Sequence, residues 1–357
     1  MMTYGTIAEH QNVKEYYMIR LAVLSFWHVH AKDYSKQAAD HPDTEIVAIW
    51  DDLPERGRAA AQQWGGQFEA SLPALLARDD IDGVIVVTAT NEHRDVMTAA
   101  AQAGKHIFTE KVLASTLREA NQILAAVEQA GVKLTVSLPR LNAGYTQAIQ
   151  AILAEGQLGQ VTEVRTRLSH SQGLRTAENP QGRLPQHFYN LEQAAGGAMI
   201  DLGCHPMYLA RLFLGMPESI SARYGYITGR AVEDNAVAVL SYPNGALGIV
   251  EAGFVNRSSP FTIEVHGTEG SLLYSTSDSV LHLRSAKVAG AETLWLANAE
   301  LPAERPSAFH QWVNHIQQGT TATENIQSAL DLTRLMEAAN QSARSGQPVR
   351  LDSLASA

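Results

Sequence analysis

Two stretches, Val84-Ile85-Val86-Val87 and His106-Ile107-Phe108-Thr109-Glu110-Lys111-Val112, decide the fold of this chain. Each contains an apolar run without polar alternation, which is typical of strands buried on both faces of a parallel sheet. The second run stops at an ionisable pair, Glu110 and Lys111. Because open α/β sheets bind ligands at the carboxyl ends of their strands, we expect this pair at a ligand site, where desolvation lowers the pKa of Lys111 toward neutrality. The alternative is a solvated lysine that begins a loop.

The same alternation of strand and helix continues on both sides of these stretches. Such alternation indicates right-handed βαβ units and a doubly wound parallel sheet, the layout of a dinucleotide-binding half. The predicted strands are 21–24, 45–50, 84–87, 106–109 and 133–137, and the predicted helices are 31–39, 54–64, 72–77, 94–103 and 117–130.

Asp51 comes at the end of the second predicted strand. A carboxylate in this place can accept hydrogen bonds from the adenosine ribose hydroxyls and would repel a 2′-phosphate. The position therefore favours NAD over NADP. The alternative is that Asp51 only caps the helix that begins at Pro54.

The turn after the first strand has no glycine, and none occurs between residues 6 and 56. A dinucleotide turn usually carries Gly-x-Gly-x-x-Gly, whereas this turn contains Ser25, Phe26, Trp27, His28 and His30. A phosphate can still bind the N-terminus of the following helix. The two histidines also suggest a metal-dependent hydrolase on a (β/α)₈ barrel, but the simpler interpretation is that they line the turn, and we assign no metal ligands.

The second part of the chain has a different pattern. The strand predicted over 161–170 alternates polar and apolar residues, and the turn Pro243-Asn244-Gly245 marks a hairpin. We expect a mostly antiparallel sheet with one face free for a partner subunit. The predicted helices are 143–155, a segment ending near 214, 307–318 and 326–345; the predicted strands are 161–170, 219–228, 235–242, 246–253, 261–266, 271–274 and 280–284. The expected domains are an N-terminal extension, 1–17, a dinucleotide-binding domain, 18–138, and a substrate-binding and oligomerisation domain, 139–357, whose C-terminal helices can pack back on the first domain.

Composition narrows the class of protein. With 357 residues, two domains are expected, and the net charge of -10 argues against binding nucleic acid or an anionic membrane surface. A single cysteine, Cys204, excludes an intrachain disulfide. The chain has no apolar run of about 20 residues, and its start lacks the apolar centre of a signal peptide, so we expect a cytoplasmic protein.

Several motifs together resemble one family, the Gfo/Idh/MocA oxidoreductases, over about residues 19–351. Each motif alone is weak evidence for the family, but the order and spacing of all of them match it. The motifs are Asn91-Glu92-His93, Ala103-Gly104-Lys105-His106-Ile107-Phe108-Thr109-Glu110-Lys111, Arg140 followed by Glu155-Gly156-Gln157-Leu158-Gly159, Gly196-Gly197-Ala198-Met199-Ile200-Asp201-Leu202-Gly203-Cys204-His205, and His266-Gly267-Thr268-Glu269-Gly270-Ser271.

The resemblance implies a Rossmann domain followed by an α/β domain with an open, mostly antiparallel sheet that often forms dimers or tetramers. It also implies that Lys111, Asp201 and His205 meet at the nicotinamide as the catalytic residues. Two departures stand out: Val112 replaces the family's proline, and the glycine-rich turn is replaced. The expected reaction is hydride transfer between NAD and a secondary alcohol or ketone of a sugar, cyclitol or polyol, with His205 as the base. A redox-neutral glycoside-processing enzyme and a non-catalytic NAD or sugar sensor remain alternatives.

The remaining expected site residues surround this centre. Cofactor contacts are expected from Ser25, Phe26, Trp27, His28, His30, Asp51, Thr88, Asn91, His93, Glu110 and Lys111. Substrate contacts are expected from Lys111, Arg140, His187, Asp201 and His205. Cys204 is expected to pack rather than act as a nucleophile.

Overall fold

The computed structural model describes residues 17–354. The predicted extension, 1–17, therefore lies outside the described residues except for its last residue. These described residues form a six-stranded sheet followed by a nine-stranded sheet. Among residues 17–354, every helix is too short or too polar to cross a membrane.

The first sheet is parallel throughout, with the strand order β3-β2-β1-β4-β5-β6. Its order reverses at β1 and β4, so the carboxyl ends of these strands open a crevice for ligands. The strands are β1 (Ile19–Leu24), β2 (Thr44–Trp50), β3 (Gln67–Phe68), β4 (Gly83–Val86), β5 (His106–Thr109) and β6 (Leu134–Val136). The helices are α1 (Ala31–Asp40), α2 (Pro54–Trp64), α3 (Leu72–Leu76), α4 (His93–Gln102) and α5 (Leu117–Ala130).

Helix α5 shows how local sequence sets an element's bounds. The Thr116 hydroxyl accepts a hydrogen bond from the Glu119 amide, and the Glu119 side chain accepts one from the Thr116 amide. This reciprocal pair satisfies amides that the first turn leaves without a helical partner. The helix ends at Gly131, whose φ of 66° lies in the left-handed region that glycine adopts without strain.

The second sheet is mostly antiparallel, with only β7 and β10 parallel. Its order is β14-β13-β12-β11-β7-β10-β9-β8-β15. The strands are β7 (Val161–Ser169), β8 (Ser219–Gly225), β9 (Asn235–Ser241), β10 (Leu247–Gly253), β11 (Thr262–Gly267), β12 (Gly270–Ser275), β13 (Val280–Ser285), β14 (Leu296–Asn298) and β15 (Val349–Arg350). The helices are α6 (Gly144–Ala154), α7 (Leu191–Ala194), α8 (Cys204–Leu214), α9 (Ala308–Gln318) and α10 (Thr323–Ser345).

The predicted fold class is confirmed, and the hairpin at Pro243-Asn244-Gly245 joins β9 to β10. The short strands β3, β14 and β15 were not predicted, since two or three residues carry too little pattern to separate a strand from a loop. The helix predicted to end near 214 is α8; the short helix α7 and a π-helical turn at Met199–Gly203 come before it.

Helix α9 covers one face of the first sheet. Phe309 and Trp312 are fully buried and pack with Phe108 of β5, their ring centroids lying 5.5 and 5.8 Å from the Phe108 ring. The Trp312 indole N–H donates to the Lys133 carbonyl oxygen at 3.2 Å. Burying each of these rings contributes about 1.5–3 kcal/mol, so the end of the chain holds β5, the strand that leads into Glu110 and Lys111.

Candidate active site

Lys111 and Asp201 meet between the two sheets. Lys111 follows β5, and its ammonium donates to the Asp201 carbonyl oxygen at 2.8 Å and to Asp201 Oδ1 at 3.1 Å. Asp201 lies on the π-helical turn before α8, and such turns are frequent at functional sites. The structure therefore brings together two of the predicted catalytic residues, which are 90 positions apart in the sequence.

The charges of this pair are strongly coupled. Burial alone would lower the pKa of Lys111, but the neighbouring carboxylates of Asp201 and Glu110 outweigh it and hold that pKa above its ordinary value. Burial would raise the pKa of Asp201, and Lys111 and His28 instead hold it far below its ordinary value. The expectation that the Lys111 pKa falls toward neutrality is wrong, because the sequence did not show the carboxylates around it. The raised pKa favours the charged ammonium, which acts as a hydrogen-bond donor.

A second group of side chains surrounds Glu110, which is 2 % exposed. Its Oε2 lies 3.0 Å from His30 Nδ1 and 3.8 Å from His28 Nδ1, and it accepts a short hydrogen bond from the Tyr34 hydroxyl. Its Oε1 lies 3.6 Å from the Lys111 ammonium and has no hydrogen-bond partner among the described residues. Burial opposes the charged form, yet His28, His30 and Lys111 hold the pKa of Glu110 well below its ordinary value.

His205 lies in the first turn of α8 and is buried. Its Nδ1 lies 3.0 Å from the Tyr208 hydroxyl, which in turn accepts a hydrogen bond from the Arg140 amide. Burial, reinforced by the positive charges of Lys111 and Arg140, lowers the pKa of His205 well below its ordinary value. The ring is therefore neutral at pH 7. Its hydrogen bond goes to Tyr208, whereas the Asp201 carboxylate points to Lys111 and His28.

The turn that carries Asp201 is fixed by Glu233, a buried residue preceding β9. Its carboxylate accepts hydrogen bonds from the amides of Gly197 and Met199, both at 2.9 Å. Gly197 is required here, because a Cβ would collide with the Glu233 carbonyl oxygen. Burial raises the pKa of Glu233, and the two amides counteract part of this shift.

We expect Glu233→Ala to lower the free energy of unfolding by about 2–5 kcal/mol, because two buried amides lose their acceptor. Urea unfolding followed by circular dichroism measures this loss. Glu233→Gln is the matched control, since it keeps one acceptor oxygen and should lose less. Equal stability of all three proteins would show that the carboxylate does not hold the turn.

In the glycine-poor turn after β1, three backbone amides donate hydrogen bonds within the protein. The Phe26 amide donates to Asp51 Oδ2, the Trp27 amide to Ser25 Oγ, and the His28 amide to the Val87 carbonyl oxygen. Ser25 occupies the left-handed region, with a φ of 73°. In a dinucleotide turn such amides face the pyrophosphate, whereas here these three are already paired.

Trp27 and Phe188 form an aromatic cover over this turn. Trp27 stacks on Phe188 with 5.1 Å between ring centroids, and His187 Nε2 lies 2.8 Å from the Trp27 carbonyl oxygen. The pocket beside Lys111 and Asp201 measures about 20 Å³, room for about one water molecule. A sugar is larger than this pocket.

Asp51 ends β2 as predicted, but its carboxylate is engaged. Its oxygens accept hydrogen bonds from the Phe26 and Leu53 amides and from the Arg56 guanidinium, whose Nε lies 2.8 and 2.9 Å away. Burial raises the pKa of Asp51, and the Arg56 hydrogen bond offsets part of that shift. A ribose can reach this carboxylate only in competition with Arg56.

The other predicted residues lie around this centre in different roles. His93 Nδ1 contacts the Val112 carbonyl oxygen at 2.9 Å and supports the backbone after Lys111, where the Lys111–Val112 peptide bond is cis. Asn91 is exposed, and the buried Thr88 hydroxyl has no hydrogen-bond partner among the described residues. Arg140 donates to the Tyr145 hydroxyl and lies over the Phe261 ring.

Cys204 is buried, and burial raises the pKa of its thiol to about 12. The thiol is therefore protonated and unreactive at neutral pH, as a packing role requires. Sequence reasoning missed Tyr34, Phe188 and Glu233. A signal existed only for Phe188, which is next to the predicted His187, because the other two act through contacts with distant segments.

The fold and the site define an oxidoreductase built on a nucleotide-binding domain. Residues 26–138 match the family model described as an oxidoreductase family with an NAD-binding Rossmann fold, and residues 146–273 match the GFO/IDH/MocA C-terminal domain. The chain is 31% identical to the D-apiose dehydrogenase of Paraburkholderia graminis over 88% of its own length and 85% of that protein. It is 28% identical to the scyllo-inositol 2-dehydrogenase (NAD(+)) of Bacillus subtilis over 94% and 97%.

A solved structure has the same fold. It is a levoglucosan dehydrogenase in complex with NADH and levoglucosan, with a TM-score of 0.79 and 20% identity, covering 93% of this chain and 99% of that one. The chain belongs to the Gfo/Idh/MocA oxidoreductase family, as its motifs predicted.

The family implies a nicotinamide dinucleotide, and the site residues fit it unevenly. Lys111 and Asp201 provide a charged donor and a carboxylate at the sheet edge. The turn from Ser25 to His28 does not fit a pyrophosphate in this conformation, because its amides are paired within the protein and Trp27 fills the crevice. A pyrophosphate bound by these amides would have to displace their present acceptors.

Proposed function

We propose that the protein is a dehydrogenase or reductase that interconverts a secondary alcohol and a ketone on a sugar, cyclitol or polyol. The main support for this proposal is the buried Lys111 ammonium, which is paired with Asp201 at the carboxyl edge of the first sheet. Family membership and the names of the relatives support the substrate class.

Each residue has a distinct task in this proposal. Lys111 donates a hydrogen bond to the reacting oxygen and stabilises its alkoxide character. His205, neutral at pH 7, accepts the hydroxyl proton. Asp201 holds the Lys111 ammonium in place and can orient a sugar hydroxyl. A bound nicotinamide dinucleotide supplies the hydride acceptor.

NAD rather than NADP is the proposed dinucleotide. Asp51 and Asp52 lie together at the end of β2, and the Arg56 guanidinium contacts both. Two carboxylates against one guanidinium leave a net negative charge, which disfavours a 2′-phosphate.

Binding titrations with NAD and NADP, followed by intrinsic tryptophan fluorescence, test the cofactor assignment. We expect NAD to bind at least about tenfold more tightly, equivalent to about 1.4 kcal/mol. Opening of the Trp27–Phe188 stack should change the Trp27 emission. Asp51→Asn serves as the matched variant and should reduce the preference for NAD. Failure of both dinucleotides to bind would overturn the proposal.

The closed crevice also favours a second candidate, a redox-neutral enzyme that keeps its dinucleotide bound while processing a glycoside. The Trp27–Phe188 cover would retain such a cofactor. In that case NAD stays with the protein through purification, and turnover releases no net NADH. A sensor without turnover is the remaining alternative, favoured by the paired amides of the first turn.

We also propose a cytoplasmic location. We further propose a homodimer or homotetramer that forms through the second sheet. The support for the oligomer is an open groove on this sheet, lined mainly by charged and small residues. It includes Arg167, Ser169, Arg223, Tyr224, Glu251 and Asn256. Sedimentation velocity measures the oligomer directly.

A further inference from the structure

We propose that His28, His30 and Glu110 bind a divalent first-row transition-metal ion such as Zn²⁺, Mn²⁺ or Fe²⁺. The histidines come from the turn after β1, and Glu110 directly follows β5, so the fold joins segments 80 residues apart. One ligand atom from each side chain lies within 4.8 Å of the other two. Two imidazoles and one carboxylate form a ligand set that Zn²⁺ and non-haem Fe²⁺ use in catalytic sites.

The distances are close to what an ion needs. His30 Nδ1 and His28 Nδ1 lie 3.0 and 3.8 Å from Glu110 Oε2, and the two imidazole rings are 4.6 Å apart. Metal–ligand bonds of about 2.0–2.2 Å place neighbouring ligand atoms about 3–3.5 Å apart. Small rotations of the side chains are therefore enough. The ion would replace two contacts, the 3.0 Å hydrogen bond between His30 Nδ1 and Glu110 Oε2 and the 3.3 Å hydrogen bond from the His30 amide to His28 Nδ1.

The buried charge around these residues favours a cation. Glu110 and Asp201 are both carboxylates, and Lys111, 3.6 Å from the first and 3.1 Å from the second, is the ammonium that they share. The two carboxylates therefore outnumber the ammonium between them. Burying an uncompensated carboxylate is costly, and a divalent cation beside Glu110 would compensate it.

Neighbouring groups orient the proposed ligands. The Tyr34 hydroxyl donates to Glu110 Oε2, and His28 Nε2 lies 3.6 Å from Asp201 Oδ1. A carboxylate behind the second nitrogen of an imidazole is the arrangement that fixes metal-binding histidines. The His28 ring thus has one nitrogen toward Glu110 and the other toward a carboxylate.

The open side of the cluster faces a separate cavity. The His30 side chain is 38% exposed and lines a cavity of about 280 Å³, together with Tyr34, Ser137 and Asn142. Positions on the ion that the protein leaves free would face this space. A ligand with adjacent hydroxyl or carbonyl oxygens, such as a sugar, could bind the ion from there. The proposed ligands His28, His30 and Glu110 are also expected cofactor contacts, but the metal site does not rest on the proposed function.

Titration of the full chain with Zn²⁺ and Mn²⁺ by isothermal calorimetry, after removal of metals with a chelator, tests the proposal. We expect one ion per chain and at least about tenfold weaker binding in His30→Ala and Glu110→Gln, since even outer-shell changes cost about 10–100-fold. His30→Ala is the key variant because its side chain is partly exposed, so the protein should fold; circular dichroism verifies this. His282→Ala, which alters a half-buried histidine paired with Asp278, is the control and should bind normally.

Unchanged stoichiometry and affinity in both His30→Ala and Glu110→Gln, or the absence of binding to the folded wild-type chain, would overturn the metal site. The NAD titration on the same chelator-treated protein separates the two proposals. If the protein binds NAD but neither metal ion, the proposed function stands and the metal site is overturned. If it binds a metal ion but not NAD, the metal site stands and the proposed function is overturned.

Discussion

Lys111→Met is expected to lower kcat/KM by about 10²–10³-fold, the cost of removing one preorganised donor to a developing oxyanion. The structural reason is that Lys111 is a buried ammonium at the sheet edge, held charged by Asp201 and Glu110. Hydride transfer is followed by NADH absorbance across a panel of aldoses, cyclitols and alditols, on any substrate that the wild-type protein turns over.

Loss of stability must be separated from loss of chemistry in this variant. Removing one partner of a buried ion pair costs about 3–5 kcal/mol, so Lys111→Met should also unfold at lower urea concentration. Lys111→Met with Asp201→Asn removes the unpaired carboxylate and should regain part of the stability without regaining activity. Lys36→Met, at an exposed ion pair with Asp40, is the surface control and should match the wild type. Wild-type kcat/KM in Lys111→Met would contradict the assigned role.

The second large effect is expected at His205. His205→Gln should reduce kcat by about 10²–10⁴-fold, the usual contribution of a positioned general base. Glutamine keeps much of the volume of the imidazole and can still bond the Tyr208 hydroxyl, so the fold should persist. Steady-state kinetics on the same substrate measures the effect. Retention of full activity would assign the base to another group.

The pH profile gives an independent test of the same residue. A general base must be unprotonated, and burial with the charges of Lys111 and Arg140 lowers the His205 pKa below its ordinary value. The imidazole therefore stays neutral as the pH falls, and the acidic limb of kcat/KM should lie below about pH 6.5. Tyr208→Phe removes the hydroxyl at Nδ1 and should shift this limb while keeping the base. A limb above pH 6.5 that is unchanged in Tyr208→Phe would contradict this role.

Much of the first domain could be predicted because its determinants are local. The apolar run Val84–Val87 and the strand leading to Lys111 carry the pattern of buried parallel strands within a few residues each. Asp51 and Glu110 follow strands directly, so their place at the carboxyl edge follows from strand direction alone. The resemblance added Asp201 and His205, which no local pattern connects to Lys111.

The electrostatics of the site could not be predicted from sequence. The direction of the Lys111 pKa depends on whether carboxylates or apolar groups surround the ammonium, and Asp201 arrives from the second domain. The hydrogen bonds from Arg56 to the Asp51 carboxylate could not be predicted for the same reason. They form because the Arg56 side chain, on helix α2, turns back toward the end of β2. Such contacts depend on side-chain directions that spacing does not give.

The sequence by itself determined the two-domain α/β class, the family and the position of Lys111 at a strand end, because periodicity and motif order are properties of the chain. Only the tertiary structure decided how that end is used. It paired Lys111 with Asp201, closed the glycine-poor turn under Trp27 and Phe188, and brought His28 and His30 to Glu110. The physical reason is that these arrangements arise from contacts between distant segments, whose energies depend on burial and direction rather than on spacing.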